Sequence, residues 1–143
     1  VYVKDYWDGR KVIEDDLLNE NVLSLIERLH GKIVRIDRHY KVDGMEVDAI
    51  ILCRRVKERL IGVELKEYDF FKVIQQAVQR RKYFNYFYIV TRGGNIIGQT
   101  MRCLYRMGLL SELFEQGIGW IVVNQEGQAW YLFASTYLKC GLI

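Results

Sequence analysis

Apolar and polar positions along this chain fall into blocks with two different periods. Within residues 10–29, Leu18, Val22, Leu25, Ile26 and Leu29 recur at helical spacing. His30-Gly31 closes that block, since glycine is favoured just past a helix C-terminus. Lys32-Ile33-Val34-Arg35-Ile36 alternates and predicts a strand, and residues 41–44 read as a turn. Two more strands are predicted over residues 47–52 and 60–66, with a hairpin bend inside the charged stretch 54–59. A second helix is expected over 69–84, with Phe71, Ile74, Ala77 and Val78 on its core side. Tyr86-Phe87-Tyr88-Ile89-Val90-Thr91 is rich in aromatic and β-branched residues and predicts a strand, broken by Arg92-Gly93-Gly94-Asn95. A third helix over 99–115 and a late strand pair, 119–124 and 129–134, turning at Glu126-Gly127, complete the pattern. The expected order is α-β-β-β-α-β-α-β-β: an α/β fold with a central mixed β-sheet flanked by helices.

Two strands carry charge where apolar residues are expected. In Ile61-Gly62-Val63-Glu64-Leu65-Lys66-Glu67, alternation puts Glu64 and Lys66 on one face and Val63 and Leu65 on the other. In Val47-Asp48-Ala49-Ile50-Ile51-Leu52, Asp48 sits in a similar setting. Burying a charge is costly unless it is paired or bound to a metal. A hairpin bending near residue 56 sets Asp48 opposite Glu64, with both carboxylates on one side. Such an oxygen-rich pair suits Mg²⁺ or Mn²⁺, and the Leu65 carbonyl can add a third protein ligand. Metal at that point would serve phosphodiester chemistry, with Lys66 holding the attacking water or balancing charge in the transition state. A solvated surface pair would produce the same Glu64–Lys66 spacing at little energetic worth.

Glu14 continues the apolar stripe of the first helix, four residues before Leu18, whereas Glu20 and Glu27 fall on the opposite side. An inward-facing acid is a site candidate; an acid near a helix N-terminus is equally favoured by the helix dipole.

Taken together, Glu14, Asp48, Glu64-x-Lys66 and the glutamine-bearing helix that follows resemble the PD-(D/E)XK nuclease superfamily over residues from about 10 to 91. Val47 stands in place of that motif's proline. The resemblance implies the restriction-endonuclease-like fold and metal-dependent hydrolysis of DNA, with RNA a less favoured substrate. It gives Asp48 and Glu64 the metal, Lys66 the hydrolytic water, and Glu14 the place of the family's helical acid among the catalytic residues. It also implies a glutamine on the next helix. Gln75, Gln76 and Gln79 are the candidates, and Gln76, followed by Ala77, is preferred. Lys72, Gln76, Gln79 and Tyr83 share a polar stripe that a solvated helix face would also show.

Charge and composition then narrow the partners. Residues 1–70 carry 13 Lys/Arg against 15 Asp/Glu, and residues 71–143 carry 8 against 3. A basic half beside an acidic site suits a polyanion. Lys72, Arg80, Arg81, Lys82, Arg92, Arg102 and Arg106 are candidate phosphate contacts, and Tyr83, Tyr86 or Tyr88 candidate stacking groups. Trp120 and Trp130, in strand patterns, are expected in a core or interface. The three cysteines are widely spaced and form no CxxC pair, which disfavours a structural zinc or iron–sulfur site and points to reduced thiols in an intracellular, cytoplasmic protein. No apolar run approaches a membrane span, and no signal peptide is visible. One domain is expected; the chain opens on Val1, consistent with a longer parent protein. A two-fold homodimer would suit cleavage of both DNA strands. The rival from another class is a non-catalytic nucleic-acid-binding module retaining the fold, for which a broken acid–acid–lysine set would be expected.

Overall fold

Asn19 divides the first expected helix in the computed structural model, which describes residues 14–67, 69–93 and 97–140. Its backbone is extended (φ −97°, ψ 179°) and its side chain accepts from Val22 N at 3.0 Å. Asparagine competes well for an N-terminal helix donor, so a new helix, α1 (Glu20–His30), starts there. The apolar period runs through this cap, which is why one helix was expected. Glu14 and Asp15 lie in a separate helical turn before it, and residues 10–13 of the expected helix lie outside the described residues.

The strands are β1 (Lys32–Val42), β2 (Met45–Arg54), β3 (Glu58–Lys66), β4 (Tyr86–Arg92), β5 (Ile118–Val123) and β6 (Ala129–Phe133). Between β3 and β4 runs α2 (Phe70–Arg80), followed by a 3₁₀ turn at Arg81–Tyr83. The helix expected over 99–115 is two: α3 (Ile97–Arg106) and α4 (Leu109–Gln116). Gly108, at φ +76°, takes the left-handed conformation that turns the chain between them.

All six strands join one sheet in the order β1-β2-β3-β4-β5-β6. β1/β2, β2/β3 and β5/β6 are antiparallel, and β3/β4 and β4/β5 are parallel. Parallel neighbours need crossovers, which α2 and the α3–α4 pair supply. Both crossovers step the same way across the sheet, so right-handed connection places their helices on one face. There Val73, Ile74, Leu104 and Leu113 pack with Phe87, Ile89 and Trp120. α1 covers the other face, with Val22 and Ile26 against Ile51, Ile61, Val63, Leu65 and Val90. The fold is thus α/β, a mixed sheet flanked by helices.

Several side chains land differently from their sequence pattern. Phe71 is exposed, and Phe70 fills the core position instead, its ring 5.7 Å from that of Trp120. Trp120 is buried as expected, whereas Trp130 is 45% exposed. Gly62 is required by close approach: a Cβ there would lie 2.5 Å from Phe87 Cε2. Arg81 is fully buried and donates to Gln116 O (2.7 Å), Phe84 O (2.8 Å) and Thr136 O (2.7 Å). It ties the 3₁₀ turn to the end of α4 and to the segment after β6, so it is not available to a phosphate.

Candidate metal centre

The β2–β3 ladder runs from Arg54↔Glu58 to Ala49↔Val63, which is the register expected from a bend near residue 56. One step further, Asp48 comes opposite Glu64. There the backbone ladder stops, and Asp48 Oδ2 accepts Leu65 N–H at 2.8 Å. A residue in an extended strand directs its N–H and C=O to the same edge, so the Leu65 carbonyl also faces β2. Alternation holds as expected: Val63 and Leu65 pack beneath α1, and Glu64 and Lys66 take the α2 side.

Glu64 is the most enclosed acid of the group, with a side chain 4% exposed. Its strand position sets it across from Asp48, one step past the Ala49↔Val63 pair. Burial first, and then the charge and hydrogen bonding of Asp48, push its pKa up to about 9, against the opposing pull of Arg80 and Lys66. Arg80 Nε lies 3.3 Å from Glu64 Oε1 but donates to Glu46 O at 3.0 Å, while its Nη1 donates to Gln76 O at 3.1 Å. Glu64 Oε1 is left buried without a hydrogen-bond partner among the described residues. Two carboxylates facing each other across β2–β3 and an orphaned buried oxygen form a hard, electron-rich donor set, and a divalent cation such as Mg²⁺ or Mn²⁺ fits it.

Lys66 Nζ lies 3.9 Å from Glu14 Oε1, both side chains being about three-quarters buried (24% and 22% exposed). Burial raises the Glu14 pKa, and the Lys66 charge lowers it. Glu14 therefore reaches the centre, although from a helical turn ahead of α1 and not from one continuous helix.

The helix glutamines are placed less closely. Gln75 and Gln79 are exposed and Gln76 is half-buried. Among the described residues no hydrogen bond joins a Gln76 side-chain atom to Asp48, Glu64 or Lys66. The side chain that α2 delivers there is Arg80, one turn beyond Gln76 on the same stripe. Sequence reasoning named Arg80 only as a phosphate contact. It missed His39 and Glu46. The expected turn over 41–44 did not hold this pairing: its centre sets His39 opposite Glu46, whereas the observed turn at Asp43–Gly44 moves the register by two residues and sets His39 opposite Asp48. The β1–β2 pairs Arg38↔Ala49 and Tyr40↔Val47 bracket that position.

Among the candidate nucleic-acid contacts, Lys72, Lys82, Arg102 and Arg106 are exposed. Arg92 is bound to Glu67 (2.8 Å) and Asn124 O (2.8 Å). Tyr88 is fully buried, hydrogen-bonded to His30 at 2.6 Å, and cannot stack on a base. Tyr86 is half-buried with its ring centroid 4.1 Å from that of His30, and Tyr83 is half-buried at the surface.

Comparison with protein-family models, curated proteins and solved structures gives no match. What fold and site define together is a helix-flanked mixed-sheet protein with a paired-carboxylate centre at the splayed end of the β2–β3 ladder. No helix among the described residues is long and apolar enough to cross a membrane.

The raised Glu64 pKa has a consequence for stability. A group whose folded pKa exceeds its unfolded value stabilises most below the unfolded value, here 4.5, and that contribution is lost as pH rises toward about 9. In chelator, the wild-type melting temperature should therefore fall relative to Glu64→Gln over that window. Mg²⁺ or Mn²⁺ should narrow the gap at the alkaline end, where a cation replaces the proton. Thermal melts across pH check this, and parallel profiles for the two proteins would count against it.

Proposed function

We propose that this chain is a divalent-metal-dependent DNA nuclease domain of the PD-(D/E)XK type, with the restriction-endonuclease-like fold and endonucleolytic action. The observation that carries the proposal is the meeting of Asp48 and Glu64 across β2–β3, with Lys66 on the same strand as Glu64. Asp48, Glu64 and the Leu65 carbonyl would hold the cation. When bound, Mg²⁺ or Mn²⁺ supplies Lewis-acid polarisation of a phosphate oxygen and acidifies its water. Lys66 orients the attacking water and offsets the negative charge that develops on the phosphate. Glu14 holds the Lys66 ammonium on that side. Gln76, on α2, would help orient water or phosphate once substrate is seated. Exposed Lys72, Lys82, Arg102 and Arg106 contribute the sequence-independent attraction for the DNA backbone. A homodimer in the cytoplasm, cutting both strands from paired sites, fits this chemistry.

A second reading is favoured by one observation. Arg80 places a fixed positive charge 3.3 Å from Glu64, which partly compensates the acid without a cation. On that reading the chain is a non-catalytic nucleic-acid-binding module.

Incubation with linear, circular and branched DNA plus Mg²⁺ or Mn²⁺ separates the two. Nicking or linearisation of circular duplex, abolished by chelator, is the expected result. Binding without cleavage of any substrate would support the module instead.

A further inference from the structure

We propose that His39, Glu46 and Asp48 form a second cation position, one that accepts a nitrogen ligand and so prefers Mn²⁺ to Mg²⁺. The register puts His39 on β1 directly across from Asp48 on β2, with Glu46 two residues before Asp48 on the same face. One donor atom from each of the three lies within 4.8 Å of the others.

The hydrogen bonding of His39 points the same way. Its Nε2 lies 3.1 Å from Asp15 Oδ2, a carboxylate from the turn ahead of α1. In the neutral ring, a carboxylate acceptor there favours the tautomer with its proton on Nε2 and its lone pair on Nδ1. This is the outer support that metal-binding imidazoles typically have. Nδ1 is buried and has no hydrogen-bond partner among the described residues. Its nearest charged neighbour, Glu46 Oε2, is 3.6 Å away, beyond hydrogen-bond reach. An imidazole nitrogen clustered with the Glu46 and Asp48 carboxylates lacks a donor, and a cation would supply what is missing.

The second position is continuous with the first through Asp48, whose two oxygens can serve one ion on each side. Across the sheet the order is His39, Asp48, Glu64, on β1, β2 and β3. Glu64, with its side chain 4% exposed and Oε1 without a hydrogen bond among the described residues, closes the far side. The donor sets differ in kind. The candidate ligand atoms at the Glu64 position are all oxygens, which suits Mg²⁺ and Mn²⁺ alike; a nitrogen ligand enters only at His39, and Mg²⁺ takes it poorly.

This inference does not depend on nuclease activity, and its test does not read cleavage. The metal-free protein is titrated with Mn²⁺, bound ion being counted from the loss of the free-ion electron paramagnetic resonance signal. Bound Mn²⁺ is then examined for hyperfine coupling to an imidazole nitrogen. Wild type should take up a second equivalent of Mn²⁺ but not of Mg²⁺, and should show the nitrogen coupling. His39→Asn should lose both, since asparagine tolerates the positive backbone angle at this residue (φ 54°) yet offers no ring nitrogen. Glu64→Gln should retain the coupling. Asp15→Asn touches no cation and should weaken the second equivalent roughly 10–100-fold, which keeps the test decisive if His39→Asn folds poorly. Absence of nitrogen coupling in wild type, or Mn²⁺ uptake unchanged in both His39→Asn and Asp15→Asn, would overturn the proposal.

Discussion

Lys66→Ala is expected to slow metal-supported DNA cleavage by about 10²–10³-fold, the usual cost of removing one preorganised electrostatic group from a reaction centre. Metal affinity should hold or tighten. Lys66 opposes the raised Glu64 pKa, so its loss leaves the Asp48–Glu64 pair more electron-rich and more in need of a cation. Because Lys66 is at the end of β3 and about a quarter exposed, its truncation opens no core cavity. Single-turnover cleavage beside calorimetric metal binding separates the two effects. A parallel fall in affinity and rate would instead assign Lys66 to holding the site together.

Arg81→Ala should be the most damaging single change to stability, at about 3–5 kcal/mol, or roughly 10–15 °C in melting temperature. The guanidinium donates to three backbone carbonyls at 2.7–2.8 Å from three separate segments, and truncation leaves those acceptors without their donor. Arg81→Lys cannot restore the fork, since an ammonium has one nitrogen where three carbonyls diverge. Urea denaturation measures the loss. A cost below about 1 kcal/mol, the level of an ordinary surface change, would mean that water replaces the network.

Arg80 and Arg81 show what the sequence could and could not convey. They are adjacent and chemically identical, and both belong to a basic run that reads as phosphate-binding. Arg80 is the last residue of α2, and its side chain runs back along the helix to Gln76 O and Glu64. One residue later the chain tightens into a 3₁₀ turn, which swings Arg81 into the core. The point of that change is set by tertiary packing, and no local pattern marks it. The same limit applied at Asn19 and Gly108, where apolar spacing continued across a cap and a left-handed glycine.

Strand register was legible for the opposite reason. A two-residue alternation cannot slip by one without exposing every buried side chain, so turn position and pattern fix the partners together. That is how Asp48 and Glu64 could be paired from sequence. The β1–β2 pairing was less legible: the turn expected over 41–44 sets His39 across from Glu46, and only the observed turn at Asp43–Gly44 brings it across from Asp48. Glu14 reached the centre by a route the helical pattern did not describe: a turn ahead of α1 carries it to Lys66.

The most direct test of the account is circular duplex DNA with Mg²⁺ or Mn²⁺, treated side by side with wild type and Asp48→Asn. Asparagine can still accept the Leu65 N–H and relieves the repulsion on Glu64, so the variant should fold as well as wild type in chelator. It lacks the charge that holds a cation, and losing several kcal/mol of metal-based transition-state stabilisation corresponds to a rate at least about 10³-fold lower. Cleavage by wild type alone, with equal folding of the two proteins, is the predicted result; equal cleavage by both would contradict it.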